Sequence, residues 1–134
     1  MIKSTYITAA TSEGLHIQVE VFPSLKHTNE LIKRYVFAYK ITITNTNHYT
    51  VKLLSRYWFI FNSPCTHRSV QGDGVVGEQP EIAPNASYTY ISHCDLNAEF
   101  GHMSGSYTFQ NLITETEFQA LIPRFILQYP LTFN

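Results

Sequence analysis

Gln71-Gly72-Asp73-Gly74-Val75-Val76-Gly77-Glu78-Gln79-Pro80 contains Gly72, Gly74 and Gly77 in the pattern G-x-G-x-x-G. In a dinucleotide-binding α/β protein, that pattern sits between a strand and a helix that opens at the third glycine. The helix N-terminus then holds the pyrophosphate. Here Pro80 and Pro84 follow at once, and no apolar stripe of helical period comes after them. The α/β reading therefore falls, and the glycines mark a loop in a different kind of protein.

The flanking sequence says which kind. Leu15, Ile17, Val19 and Val21 alternate with His16, Gln18 and Glu20, and Tyr35, Phe37, Tyr39, Ile41 and Ile43 alternate with Val36, Ala38, Lys40, Thr42 and Thr44. Period two is the mark of a half-buried strand. Asn45-Thr46-Asn47-His48 reads as a turn. Thr50 to Asn62 reads as a strand apolar on both faces, with Leu53, Tyr57, Phe59 and Phe61 on one and Leu54, Trp58 and Ile60 on the other. The second face is then either covered by a loop or offered to a partner.

Further strands are expected at 66–70, 87–94, 101–110, 116–120 and 121–129, with Ile122, Phe125 and Leu127 as core residues. Ser24 to Arg34 reads as a long hairpin connection. Residues 1–134 form a single domain on this reading. Its fold class is all-β, an immunoglobulin/fibronectin type III-like antiparallel β-sandwich of seven to nine strands. Trp58 precedes both cysteines, so the Cys…Trp…Cys order of antibody domains is missing.

Composition agrees. Aromatic residues make up 14% and charged residues only 14%, against roughly 25% charged in an average domain. Aromatic side chains suit a pleated, half-buried surface. The net charge of −1, with no basic stripe, argues against nucleic acid as a partner. No stretch approaches the ~20 apolar residues of a membrane helix, so no membrane role is expected. The first residues lack a signal-peptide core. Two cysteines, Cys65 and Cys94, are too few for a disulfide framework. A cytoplasmic protein with reduced thiols is the expectation.

The candidate site residues are Arg56, Trp58, Gly72, Asp73, Gly74, Gly77 and Glu78. Arg and Trp are enriched at binding hot spots, and an Arg fork can clamp a phosphate or carboxylate. Equally, Arg56 can stack its stem on neighbouring aromatics. The glycine loop can cup an anion with successive backbone N–H groups, or its glycines can simply supply positive φ in a tight turn. Asp73 and Glu78 would repel phosphate, and no Lys stands at P-loop spacing. The six histidines are scattered. Cys65-x-His67 and His93-Cys94 fit no standard zinc spacing, so no metal or other cofactor is expected. No nucleophile elbow or paired carboxylate points to catalysis, so no catalytic residue is assigned.

Longer strings speak together: Arg34-Tyr35-Val36-Phe37-Ala38-Tyr39, Leu53-Leu54-Ser55-Arg56-Tyr57-Trp58-Phe59-Ile60, Val70 through Pro80, Tyr88-Thr89-Tyr90-Ile91-Ser92, Gly101-His102-Met103-Ser104-Gly105-Ser106-Tyr107 and Ile122-Pro123-Arg124-Phe125-Ile126-Leu127. In that order the chain resembles the bacterial ApaG family, from about Leu15 to Leu127. The resemblance implies a fibronectin type III-like sandwich. Bacterial members are labelled as cobalt and magnesium efflux proteins, which for a chain with no membrane span implies at most an indirect role in cobalt/magnesium homeostasis. Related eukaryotic domains look like protein-binding modules, and the glycine loop has prompted proposals of pyrophosphate or nucleotide binding.

The chain departs from the family pattern in its long Ser24–Arg34 connection, in Ser63-Pro64-Cys65, and in Asn85 and His93, which stand where glycine is usual. The function expected is a β-sandwich module that binds an unidentified protein partner through the strand Arg56–Phe61 and the loop beside it. The alternative is a sensor of a phosphate-containing small molecule, a pyrophosphate or dinucleotide, at Gly72–Gly77. Edge strands of such a sandwich also allow a homodimer.

Overall fold

The computed structural model describes residues 6–64 and 66–130. Among them lie nine strands: β1 (Tyr6–Ser12), β2 (Leu15–Pro23), β3 (Tyr35–Asn45), β4 (Val51–Asn62), β5 (Thr66–Asp73), β6 (Glu81–Ile82), β7 (Ser87–Leu96), β8 (Phe100–Asn111) and β9 (Glu117–Gln128). All pairings are antiparallel. One sheet runs β1-β2-β3-β7; the other runs β5-β4-β8-β9, with β6 beside β4. The protein is an all-β sandwich, as its alternating strands predict. β2 shows why: every second residue from Leu15 to Pro23 is buried, and those between are half-exposed.

Two irregularities shape the second sheet. In β4, Leu53 pairs with Phe109 and Ser55 with Thr108, so Leu54 is an extra residue, a bulge. A one-residue insertion moves every following side chain to the opposite face. Val51, Leu53, Trp58 and Ile60 therefore all point into the core. Both faces are apolar as expected, but the bulge corrects their membership: Leu53 shares the inner face with Trp58 and Ile60, not a face with Tyr57, Phe59 and Phe61. Trp58 is 3% exposed, its ring edge-on to Tyr39, Tyr107 and Phe125. The outer face of β4 carries Tyr57, Phe59 and Phe61 instead.

In β9, Pro123 and Arg124 oppose the single residue Ser104, since Met103 pairs with Phe125 and Gly105 with Ile122. A bulge in an edge strand is where Pro is tolerated. It lets one continuous strand replace the two expected at 116–120 and 121–129. Ile122, Phe125 and Leu127 are buried as expected.

The Ser24–Arg34 connection does join β2 to β3, and holds a single 3-10 turn at Glu30–Ile32. Asn85 has φ 64°, the left-handed conformation that Asn tolerates. Strand β1, which lacks an alternating apolar pattern, was not expected. Residues 66–70 extend to Asp73, so the first glycine of the loop belongs to β5.

Among the described residues, the sandwich is closed on one side only. There β1 and β2 pack along β9, and the Leu121 N–H donates to Ser12 Oγ at 2.8 Å. On the other side, β5 and β7 are the free edges of their sheets.

Candidate functional site

Between β5 and β7 lies an open groove made of two adjoining hollows. The first, of ≈ 420 Å³, lies between Arg56, Trp58, Val70 and Val76 on one side and Tyr90, Ser92 and Cys94 on the other. The second, of ≈ 450 Å³, is lined by Lys33, Arg34, Asn62 and Thr66. Ile60, Arg68 and Asp95 line both. The floor is apolar core; the walls are the two strand edges.

Arg68 spans the gap between the layers. Its Nη2 donates to the Asp95 carbonyl at 2.7 Å and to Cys94 Sγ at 3.6 Å. Its guanidinium also stands 3.7 Å from the Asp95 carboxylate, and Arg34 approaches that carboxylate at 3.9 Å. These pairs are exposed and contribute little to stability. Burial pushes the Cys94 thiol up to about 11, so it is an inert, protonated group at neutral pH.

The glycine loop forms the upper lip of the groove, and its construction accounts for its glycines. Val75 and Glu78 exchange both backbone hydrogen bonds, at 2.8 and 3.0 Å. The two residues between them, Val76 and Gly77, have φ 47° and 79°. Positive φ at both central positions is the hairpin turn whose twist matches a β-ribbon. Gly74, at φ 61°, leaves no room for a side chain: a Cβ there would lie 2.1 Å from the Glu78 carbonyl oxygen.

The Gly74 N–H donates to the Leu54 carbonyl at 2.8 Å, and Gln79 Nε2 donates to the same oxygen at 2.9 Å. The bulge in β4 thus offers its carbonyl to the loop. Arg56 completes the attachment, donating from Nη1 to the carbonyls of Asp73 and Gly74 at 3.0 and 2.9 Å. Its guanidinium lies under Gly72, where a Cβ would stand 2.8 Å from Nη2.

These contacts place each expected site residue. Arg56, Gly72, Asp73, Gly74, Gly77 and Glu78 are brought together at the lip. Trp58 forms the groove floor as part of the core and offers no exposed face. Glu78 accepts a hydrogen bond from the Tyr88 hydroxyl at 3.1 Å, tying the loop to β7. The N–H groups of Gly74, Val75 and Glu78 point into the protein's own carbonyls, so they do not converge on an outside anion.

Metal ligation fares no better in the geometry. Cys65 lies outside the described residues, and among the described ones no group of three His, Cys, Asp or Glu could hold an ion. Cys94 bonds to Arg68 and resists ionisation, the opposite of what a thiolate ligand requires. Among the described residues no helix is long and apolar enough to cross a membrane.

The sequence reading missed the rest of the groove. Val70, Val76 and Ile91 stand exposed along its rim, as does Ile32 from the β2–β3 connection. Arg34 and Arg68 reach it from separate segments. One local signal was available: Val75-Val76 before Gly77 leaves a β-branched residue in a turn.

Residues 25–111 match the family described as the ApaG domain. The chain belongs to the ApaG family. Protein ApaG of Mesorhizobium japonicum is 42% identical over 123 residues, covering 92% of this chain and 94% of that one. Protein ApaG of Proteus mirabilis is 40% identical, covering 92% and 98%. The crystal structure of a protein described as putative ApaA, from Bordetella pertussis, superposes with a TM-score of 0.83 at 33% identity over 88% of this chain and 95% of that one. These ApaG relatives match far beyond the domain boundaries at residues 25 and 111, over 90% or so of the chain.

Proposed function

We propose that this ApaG-family chain is a binding module for another protein, engaged through the groove between β5 and β7 and the glycine-loop lip above it. The carrying observation is the rim. Val70, Val76 and Ile91, from three separate segments, surround one opening, and Val76 is 63% exposed. Scattered single apolar residues need no explanation, but three of them lining one hollow favour an interaction site. The edges of β5 and β7 add unpaired backbone groups on both sides. The partner meets rim, lip and edges, with Trp58 beneath them as support. Such a module would work in the cytoplasm, and any effect on cobalt or magnesium handling would pass through its partner.

A photo-crosslinking amino acid placed at Ile91, at Val76, and at Ile7 on the far side of the sandwich tests this in cells. Ile91 and Val76 should give the same discrete protein adduct, and Ile7 should not. Equal adducts at all three positions, or none at the groove, would remove the reading. The sensor of a pyrophosphate or dinucleotide draws on Arg56 and the hairpin tip at Val76 and Gly77. It has less support, because Arg56 already serves two carbonyls of the loop.

A further inference from the structure

Resting on that reading, we infer that the groove takes an extended segment of its partner as an added strand on β7, with acidic side chains facing the groove and apolar ones facing away from it.

Charge argues for the acids. The chain has nine Lys and Arg and a net charge of −1; among the described residues, four of these cations line the groove: Lys33, Arg34, Arg56 and Arg68. They come from the β2–β3 connection, β4 and β5, so no local run of basic residues announces them. Among the described residues, the one carboxylate lining either hollow is that of Asp95. Arg56 and Arg68 spend N–H groups on carbonyls, which orients the cations without neutralising them. An excess of positive charge in a concave site favours an acidic occupant and speeds its arrival.

Backbone geometry argues for a strand. The Asp95 carbonyl accepts from Arg68, across the gap on the side away from β3. In an antiparallel strand the N–H and C=O of one residue point to the same edge, and alternate residues share that edge. His93 and Ile91 therefore turn their backbone groups to the open side as well. An extended segment there gains ladder hydrogen bonds, the mode of β-strand addition. Its side chains alternate. One set lies beside Ser92 and Cys94, facing Arg68 and Arg56. The other lies beside Ile91, which is 57% exposed.

Selection from a displayed library of random dodecapeptides, with amide shifts of the bound protein recorded by NMR, tests this. The expected winners alternate Asp or Glu with Val, Ile or Tyr, and shift the amides of residues 89–95. Arg34→Glu/Arg68→Glu should weaken a selected peptide at least tenfold, while Lys52→Glu/Arg124→Glu, with the same charge change away from β7, should leave it within about twofold. Methylating alternate peptide amides should abolish binding. Winners that shift residues 89–95 but lack acids, or that survive the double reversal, overturn this inference and leave the protein-binding reading standing. Complete competition by inorganic pyrophosphate also overturns it, by showing a small-anion site. If no peptide shifts these amides and the Ile91 crosslink gives no adduct, both readings fall.

Discussion

Arg56 holds the carbonyl of Gly74 at 2.9 Å while the N–H of Gly74 is held by Leu54, so the glycine is fixed from both ends of its peptide units. The loop is a built extension of β4 rather than a free flap. Arg56→Ala removes two charge-assisted hydrogen bonds. Discounted for the half-exposed position, the loss should be about 2 kcal/mol by urea unfolding. Arg56→Lys should recover little of it, because one nitrogen, Nη1, serves both carbonyls and the lysine side chain, one bond shorter, places its ammonium short of that position. Full rescue by Lys would show that charge alone matters there.

Gly74→Ala tests the same attachment from the other side. The added Cβ meets the Glu78 carbonyl oxygen at 2.1 Å in a left-handed backbone, so hairpin or backbone must shift. A destabilisation of about 2 kcal/mol or more is expected. Gly77→Ala meets no atom within 4 Å and should cost only about 1 kcal/mol, from its positive φ. Equal costs at the two sites would contradict the hairpin described.

Trp58 is the single tryptophan and sits beneath the groove. Its fluorescence should be blue-shifted and poorly quenched by iodide in the native protein. Trp58→Ala should cost about 3 to 5 kcal/mol as a core truncation, so loss of a partner in that variant would report unfolding rather than contact. Native-like stability after the substitution would place the indole elsewhere.

That contrast shows what the chain reveals before folding. Tyr35 to Ile43 and Leu15 to Val21 announce their strands because each keeps one phase throughout, and periodicity is a local property. The β4 phase is broken at Leu54, and only its pairing with β8 reveals the extra residue. Pro123 disguises β9 for a similar reason, its bulge being defined by Ser104 across the ladder. The lip of the site was legible, since glycines and Arg56 sit close in sequence. The groove was not, because Arg34, Arg68 and Ile91 meet only once the two sheets stack.

Cys94 sets an expected alkaline limit. Burial raises its thiol from 9.0 to about 11. Between those values the unfolded chain has released the proton and the native protein keeps it, so unfolding is favoured as pH rises. The stability is full below about pH 9 and is lost progressively toward pH 11, by on the order of 2 to 3 kcal/mol for this group. Buried Tyr90 and Tyr107, also shifted upward by burial, extend the decline to higher pH. Cys94→Ala should flatten the pH 9–11 part of the profile in denaturation experiments, and an unchanged slope would discount the thiol.

Val76 combines two costs that folding alone does not explain. It is a β-branched residue at φ 47°, a conformation that crowds its side chain, and it exposes that side chain to water. Strain of this kind costs about 1 to 3 kcal/mol and persists where something else requires it. Val76→Gly should therefore raise stability by about 1 kcal/mol, since glycine adopts the left-handed backbone freely. On the reading of the rim as a contact surface, the same substitution should weaken partner binding, because it deletes an apolar contact and loosens the hairpin tip. Thermal unfolding and binding measured on one preparation separate the two effects. A variant both more stable and undiminished in binding would make Val76 incidental to the site, whereas a gain in stability paired with a loss of binding identifies the strain as retained for contact.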